Sequence, residues 1–424
     1  MRTAHRRGIG LVVILAVTAV SVEREVNIAI DAPLVAEHQV IVHPASPLVV
    51  ARLSSDYVAS DAGCASSLSA AGLERFFADR VGPVVGHDSP RIIDLGVGRY
   101  LWLLQDTFTD YSGNAASMVG SQYANSTAMV QDGSCFTVLE RGTPDHAASF
   151  EPGTGDSFDR FFWPAGGSVT GDVLSLFWIE IIRDPALIDP IDGANVHPQR
   201  TWLATYDVHT LQRLTFVPAP DESVSPIYGF DVVDDGAFSY LFGNTFAENL
   251  ALEGGFASGP HSATSMWLAR VPRGRLDMHP QYRTADGWSS RRADAVPIST
   301  RYWTENAMHP VHIGGRWLAV TKVDGFLGRD LVVDIAAEPW GPWTTITTAP
   351  ATARGDPGDM VTYAPLPLPW LDPNGGLIVG LSQIDVAWQN HNGGDPARYR
   401  PRYLSLDLTA ATTAMDALVR PDER

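Results

Sequence analysis

Residues 87–108 read HDSPRIIDLGVGRYLWLLQDTF, and this stretch decides the fold. Two apolar runs surround Gly96-Val97-Gly98, a pattern that predicts a β-hairpin with a short glycine turn. If Val97 is the centre of the turn, the numbers of cross-strand partners sum to about 194. Asp88 and Asp106 meet that condition, so we expect them to face each other at the open end of the hairpin.

Two opposed carboxylates destabilise a strand pair, so such a pair needs an explanation. Glycoside hydrolysis uses two carboxyl groups on either side of the reacting bond. The sequence therefore predicts Asp88 and Asp106 as catalytic residues. An alternative is open, because acidic residues are common at wet strand ends, and a slipped register or a bulge would separate the two.

Composition narrows the class of ligand. The chain has 424 residues, is 45% hydrophobic, and carries a formal charge of -18, so a large core is expected and one to three domains are possible. An acidic surface repels phosphate backbones, which excludes nucleic acid as an expected partner. Lys322 is the only lysine, and the heavy use of arginine is typical of GC-rich bacteria.

The N-terminus has the pattern of a signal for export. Arg2, Arg6 and Arg7 precede an apolar run from Gly8 to Val20, which is shorter than the roughly 20 residues that span a bilayer. Residues 19–21 are small enough for cleavage. We expect residues 1–21 to be a signal peptide, or an uncleaved signal anchor that tethers the chain to a membrane. The expected location is extracellular or in the cell envelope.

Cys64 and Cys135 are the only cysteines. In an exported chain two cysteines predict one disulfide, here closing a loop of about 70 residues; the alternative is two buried thiols. Two cysteines without CxxC spacing do not make a zinc site. Neither a metal nor a cofactor is expected.

The rest of the chain divides by its pattern. Residues 22–83 are expected to be a linker with one amphipathic helix near 65–80, residues 84–410 the folded domain, and residues 411–424 a tail. Within 84–410, short apolar strands alternate with glycine turns. Five hairpins of similar pattern begin near residues 88, 162, 227, 306 and 360. Their spacing predicts an all-β fold, a five-bladed β-propeller, with a β-sandwich as the alternative.

The chain resembles the actinobacterial five-bladed propeller family that includes endo-D-arabinanases, glycoside hydrolases of mycobacterial cell-wall arabinan. The segments that carry the resemblance are Asp88, residues 101–108, Trp163-Pro164, residues 337–343 and residues 399–403. The resemblance covers roughly residues 84–410 and implies a catalytic pair on the first blade, at Asp88 and Asp106. Gln105 and Ser89-Pro90 depart from the family's pattern beside that pair, so activity or substrate could differ.

Propellers bind ligands where the inner strands of several blades converge at one end of the axis. Candidate substrate-binding residues therefore stand near the hairpin starts; they are Trp163, Tyr228, Asp231, Glu305, Asn306 and Tyr363. Trp163 and Tyr363 could instead pack between blades, and Glu305 could be a solvated loop residue. The predicted function is an exported, monomeric glycoside hydrolase acting on a furanosidic polysaccharide or oligosaccharide such as arabinan. The alternative is a non-catalytic glycan-binding propeller.

Overall fold

Short strands joined by tight turns form five antiparallel sheets that follow one another along the part of the chain that the structure describes. The structure is a computed structural model, and it describes residues 53–409 except 89, 113–117, 119, 144–145, 154, 156, 158, 184–195, 245–262, 303–308, 324–327, 355–359 and 386–394. The predicted signal segment 1–21 and the tail 411–424 lie outside these residues.

The first and largest sheet holds seven strands in the described region. Its order is β1-β6-β5-β4-β2, with β3 also on β4 and β7 on β6. These strands are β1 (Val58–Cys64), β2 (Val84–Gly86), β3 (Arg91–Gly96), β4 (Arg99–Thr109), β5 (Gln122–Asp132), β6 (Cys135–Thr143) and β7 (His146–Ala148).

The second and third sheets hold four and six described strands. The second has the order β11-β10-β9-β8, with β8 (Arg160–Thr170), β9 (Val173–Arg183), β10 (Val196–Asp207) and β11 (Arg213–Pro218). The third has the order β12-β13-β14-β15-β16, with β17 on β14; its strands are β12 (Ile227–Asp235), β13 (Phe238–Asn244), β14 (Ala263–Pro272), β15 (Gln281–Arg283), β16 (Trp288–Ser289) and β17 (Ser299–Tyr302). A 3-10 turn spans Arg292–Asp294.

The last two sheets are smaller. The fourth has the order β18-β19-β20-β21, with β18 (His309–Ile313), β19 (Arg316–Val323), β20 (Asp330–Ala336) and β21 (Thr344–Pro350). The fifth has three strands among the described residues, β22 (Met360–Leu371), β23 (Leu377–Asp385) and β24 (Arg402–Leu406), and a 3-10 turn at Pro396–Tyr399 precedes β24.

The first strands of the predicted hairpins close a cycle. β3 contacts β8, β8 contacts β12, β12 contacts β18, β18 contacts β22, and β22 contacts β3. Sheets arranged radially around a shared axis are the architecture of a β-propeller. The all-β class and the propeller-like arrangement are therefore confirmed. The blade count is met only in part, because four sheets have at least the four strands of a full blade and the fifth has three in the described region.

The first hairpin has the expected register over most of its length. Arg91 pairs with Leu103 and Asp94 with Tyr100, and Val97 lies at the tip with φ 50° and 96% exposure. The register does not continue unbroken to Asp88, whose backbone N–H donates to Gln105 O at 3.0 Å, one residue short of Asp106. Asp106 has φ 43°, so the chain bulges there.

Within the predicted linker segment 22–83, the described residues 53–83 hold a strand as well as a helix. β1 pairs with β6 as the outermost strand of the first sheet, and the Cys64–Cys135 disulfide joins the two strands, as the cysteine pattern predicted. The single described helix, α1 (Ala70–Ala78), is shorter than the predicted 65–80 because Ser69 caps it, its side chain accepting from Gly72 N. Its Phe77 packs on Tyr403 of β24, so α1 covers the outer edge of the fifth sheet.

The apolar cores lie between neighbouring sheets. One core joins the first and second sheets around Leu101, Phe150 and Trp178, and another joins the second and third around Phe177 and Leu241. In the described residues no helix is long and apolar enough to cross a bilayer.

Candidate active site

The N-terminal ends of the inner strands meet at one end of the cycle. Side-chain contacts of Asp231 with Arg91 and His309, and of Tyr363 with Asp88, place the starting portions of β3, β12, β18 and β22 at the same end of the cycle. Asp88 precedes β3, while Trp163, Asp231, His309 and Tyr363 lie in or at the start of the other four. These side chains form the candidate site.

Asp106 is held by donors from two sheets. Its Oδ1 accepts from Tyr123 Oη at 2.6 Å and from Trp163 Nε1 at 3.1 Å, and the side chain is 7% exposed. Burial raises the pKa of the Asp106 carboxyl above its ordinary value, against the opposing effects of these two hydrogen bonds and of the Arg183 charge. Asp106 therefore holds a proton to higher pH than a solvated aspartate.

Asp88 is held from the opposite side, by the fifth sheet. Tyr363 Oη donates to its Oδ1, and the residue is 8% exposed. The neighbouring His87 lies with Nδ1 2.5 Å from the Asp88 carbonyl oxygen. Burial lowers the pKa of His87 to about 4, so this imidazole is neutral at neutral pH and donates from Nδ1.

Tyr399 lies close to both aspartates. Its hydroxyl donates to the backbone oxygen of Asp106 at 3.0 Å, and its own carbonyl accepts from His87 N at 3.0 Å. The pKa of Tyr399 is well above its ordinary value, first through burial and then through the negative charges of Asp88, Tyr363, Asp106 and Tyr123. Both carboxyl groups are thus near one buried phenol.

Asp231 forms the centre of a second polar cluster, which joins three sheets. Asp231 accepts from Arg91 Nη1 at 2.9 Å through Oδ1, and its Oδ2 lies 3.0 Å from His309 Nδ1. Burial alone would raise the pKa of Asp231, but the charges of His309 and Arg91 outweigh it and lower the pKa. Asp231 is therefore an ionised carboxylate that orients an arginine and a histidine from two other sheets.

The predicted substrate-binding residues divide into three groups. Trp163, Asp231 and Tyr363 are brought to the site, where each contacts a charged side chain. Tyr228 lies apart; it packs on Tyr282 with ring centroids 5.1 Å apart and lines a small cavity between the second and third sheets with Asp221 and Met278. Glu305 and Asn306 lie outside the described residues.

The sequence prediction missed Arg91 and His309, which contact Asp231, and three further residues near the two aspartates. Tyr123 donates to Asp106, Tyr399 lies close to both aspartates, and Arg183 contributes positive charge near Asp106. Tyr123 lies at the start of β5, an ordinary strand, and gives no local signal. Tyr399 stands in one of the segments that carried the family resemblance, which is the signal that could have identified it.

The arrangement favours proton transfer at two carboxyl groups with different surroundings. Both accept from a phenol, but Asp106 has a raised pKa and a second donor from the second sheet, whereas Asp88 is held by Tyr363 of the fifth sheet. Paired-carboxylate sites separate acid from base through such differences in surroundings. Among the described residues no cluster of three or more histidine, cysteine, aspartate or glutamate side chains is placed to hold a metal ion.

A family model described as "Domain of unknown function (DUF5005)" matches residues 73–407. No curated protein matches the sequence. Among solved structures, a Bacteroides ovatus protein provisionally described as a hydrolase aligns over 93% of this chain and 99% of its own, with a TM-score of 0.61 and 14% identity. At that identity the likeness shows the fold alone.

Two further structures align less well. A GH43_1 enzyme from Xanthomonas citri complexed with xylotriose has a TM-score of 0.41 and 13% identity over 77% of this chain and 89% of its own. An exo-β-1,3-galactanase from Phanerochaete chrysosporium with β-1,3-galactotriose has a TM-score of 0.40 and 11% identity, over 84% of this chain and 65% of its own. TM-scores this low do not establish a shared fold.

Proposed function

The chain belongs to the DUF5005 family, and we propose that it is a glycoside hydrolase in which Asp88 and Asp106 are the two reacting carboxyl groups. One observation carries the proposal: two buried aspartates near one phenol, at the end of the axis where the inner strands begin, each with its own phenolic donor. Glycosidic cleavage needs one carboxylic acid that protonates the leaving oxygen and a second carboxylate that acts on the other side of the sugar.

We assign the acid role to Asp106. Its pKa is raised, first by burial, so its protonated form persists closer to neutral pH, while Tyr123 and Trp163 fix the position of Oδ1. Asp88 is then the carboxylate that acts through a water molecule or as the nucleophile. The hydrogen bond from Tyr363 fixes the position of its Oδ1.

The proposed substrate is a furanosidic cell-wall polysaccharide of the arabinan type. A neutral glycan has no charge for the acidic surface to repel, and the site offers hydroxyl, indole and imidazole groups that suit sugar hydroxyls. The resemblance to arabinan-degrading propellers supports this substrate. The hydrolase description of the Bacteroides ovatus protein of similar fold is consistent with a hydrolytic reaction and names no substrate.

Export to the cell envelope is part of the proposal. A disulfide between β1 and β6 suits an oxidising compartment, and the N-terminal 21 residues have the pattern of a signal. We further propose that the chain acts as a monomer and that the three-stranded fifth sheet is a fifth blade, whose outer position is taken by α1.

The test is release of oligosaccharides from arabinogalactan by the purified protein. Asp88→Asn and Asp106→Asn should each remove measurable release while near-ultraviolet circular dichroism stays native. Asp94→Asn is the matched control, because Asp94 is an exposed aspartate on β3 whose carboxylate accepts from Gly96 N of the hairpin turn. Full activity in both site variants would overturn the assignment.

A non-catalytic glycan-binding function is the second candidate. It is favoured by the low exposure of both aspartates, 8% and 7%, which limits access to the carboxyl oxygens in this conformation. Binding of arabinogalactan without release of product, in the wild type as in Asp106→Asn, would select it.

A further inference from the structure

Alternating aromatic rings and guanidinium groups form a stack on the third and fourth sheets. The Arg270 Cζ lies 4.1 Å from the ring centroids of both Phe238 and Trp288. The Arg283 Cζ lies 5.8 Å from Trp288 and 5.2 Å from Trp340. We call these five residues the arginine ladder.

The arginine ladder is at the end of the propeller away from the aspartates. Phe238 pairs with Asp235 where β12 ends, whereas the candidate site uses the starts of the inner strands. Trp340 follows the end of β20, a strand that runs in the same direction as β18. The ladder is therefore separate from the proposed catalytic site, and neither depends on the other.

The two guanidinium groups have no carboxylate within ion-pair distance among the described residues, in a protein of charge -18. Arginines of the adjacent loop differ in this respect, since Arg273 contacts Asp234 and Arg275 contacts Asp277. The pKa of Arg270 is lowered, first by burial and also by the positive charge of Arg283. Two like charges are thus held together, and in the part of the chain that the structure describes neither has a carboxylate counterion.

The stacking leaves N–H donors at the edges of both groups. Arg270 Nε donates to Gln281 Oε1 at 3.1 Å, and Arg283 Nη1 donates to Gly287 O at 2.9 Å. Each guanidinium has five donors in one plane, and rings above and below cover the faces but not the edges. All five residues of the ladder are half-buried, so each keeps some contact with solvent.

We propose that the arginine ladder binds the oxyanion of an acidic saccharide. The guanidinium edges bind a carboxylate or phosphate in the forked geometry that arginine favours, and the half-buried indole of Trp340, at the end of the stack, contacts the apolar face of the sugar ring. Burial and the negative charges of Asp235 and Glu338 raise the pKa of Tyr240, which neighbours the ladder. The positive charge of the two arginines is therefore confined to a small area. That restricts the ligand to one or a few anionic sugar units and disfavours a long polyanion.

Titration of the full-length protein, followed by calorimetry and tryptophan fluorescence, tests the proposal. The probes are trigalacturonate, glucose 6-phosphate, the neutral maltotriose, and inorganic phosphate. We expect saturable binding of at least one of the two acidic sugars. Binding of trigalacturonate alone indicates a carboxylate ligand, binding of glucose 6-phosphate alone indicates a phosphate ligand, and binding of both indicates a site that accepts either oxyanion. Absence of binding by both acidic sugars, equal binding of maltotriose, or equal binding of inorganic phosphate would overturn it.

Variants locate the binding. Arg283→Gln should weaken the acidic sugar by about tenfold, with Arg283→Lys intermediate because it keeps the charge and loses the fork. Arg273→Gln is the matched control, an arginine of the adjacent loop that contacts Asp234, and should bind like the wild type. Unchanged affinity in a natively folded Arg283→Gln protein would contradict the proposal. Release from arabinogalactan plays no part in this readout, so a failed hydrolase proposal leaves it intact.

Discussion

Tyr363 donates a hydrogen bond to Asp88 Oδ1 across 275 positions of sequence, and so joins the inner strand of the fifth sheet to the start of the first. Tyr363→Phe removes that donor and keeps the ring. We expect hydrolysis of arabinogalactan to fall by about tenfold or more, because a hydrogen bond to a charged group is lost. The measurement is the initial rate of oligosaccharide release at matched protein concentration.

Tyr403→Phe is the control for that change. Tyr403 is a buried tyrosine of the same sheet whose hydroxyl has no hydrogen-bond partner among the described residues, and it packs against α1. Its loss should leave the rate unchanged. Equal rates in the two variants would show that the bond between Tyr363 and Asp88 does not serve the reaction.

Asp106→Asn should stabilise the fold while it removes activity. The folded-state pKa of Asp106 is raised above 3.8, first by burial, so the folded state binds a proton that the unfolded state has released. Stability therefore falls as pH rises from 3.8 through the folded pKa, and the wild type carries that penalty at neutral pH. We expect the variant to have the larger free energy of unfolding in urea at pH 7, with a difference that shrinks below pH 3.8.

Asp231→Asn should have the opposite effect. The charges of His309 and Arg91 hold the pKa of Asp231 below 3.8 despite its burial, so its contribution is present above 3.8 and is lost as pH falls through the folded pKa. The substitution leaves Arg91 buried without its carboxylate and should cost about 3 kcal/mol at pH 7. The same shift in both aspartate variants would contradict this contrast between their surroundings.

The local pattern could predict the hairpin but not what holds its carboxylates. The alternation of apolar residues around Gly96-Val97-Gly98 specifies the pairing of Arg91 with Leu103, because one face of the strand must be buried. The bulge at Asp106 is a local departure that alternation does not encode. Trp163 and Tyr363 could be named as residues near the axis, yet their partners depend on contacts between sheets 57 and 275 positions apart.

The Cys64–Cys135 disulfide should stabilise the protein without serving the reaction. It closes a loop of 71 residues, for which the chain-entropy model gives on the order of 4 kcal/mol. Replacing both cysteines by serine should lower the free energy of unfolding in urea by a matching amount, and with it the urea midpoint. The initial rate at 25 °C should be unchanged. Dithiothreitol should lower the midpoint of the wild type only; an equal effect on the variant would mean that the disulfide is not its target.

Gly166→Ala should destabilise the contact between the second and third sheets. A Cβ atom at Gly166 would lie 2.4 Å from Val232 N and 2.8 Å from Asp231 C, and these backbone atoms cannot move aside as a flexible side chain would. We expect a loss of about 2 kcal/mol in urea unfolding, typical of overpacking, and a lower rate because Asp231 orients Arg91 and His309. Gly380→Ala is the matched control, since the nearest atom to its Cβ would be in the Tyr403 ring at 3.3 Å and the nearest backbone atom, Leu366 O, would be at 3.8 Å. If both variants are equally stable, the close approach of the two sheets at Gly166 is not what sets the position of Asp231.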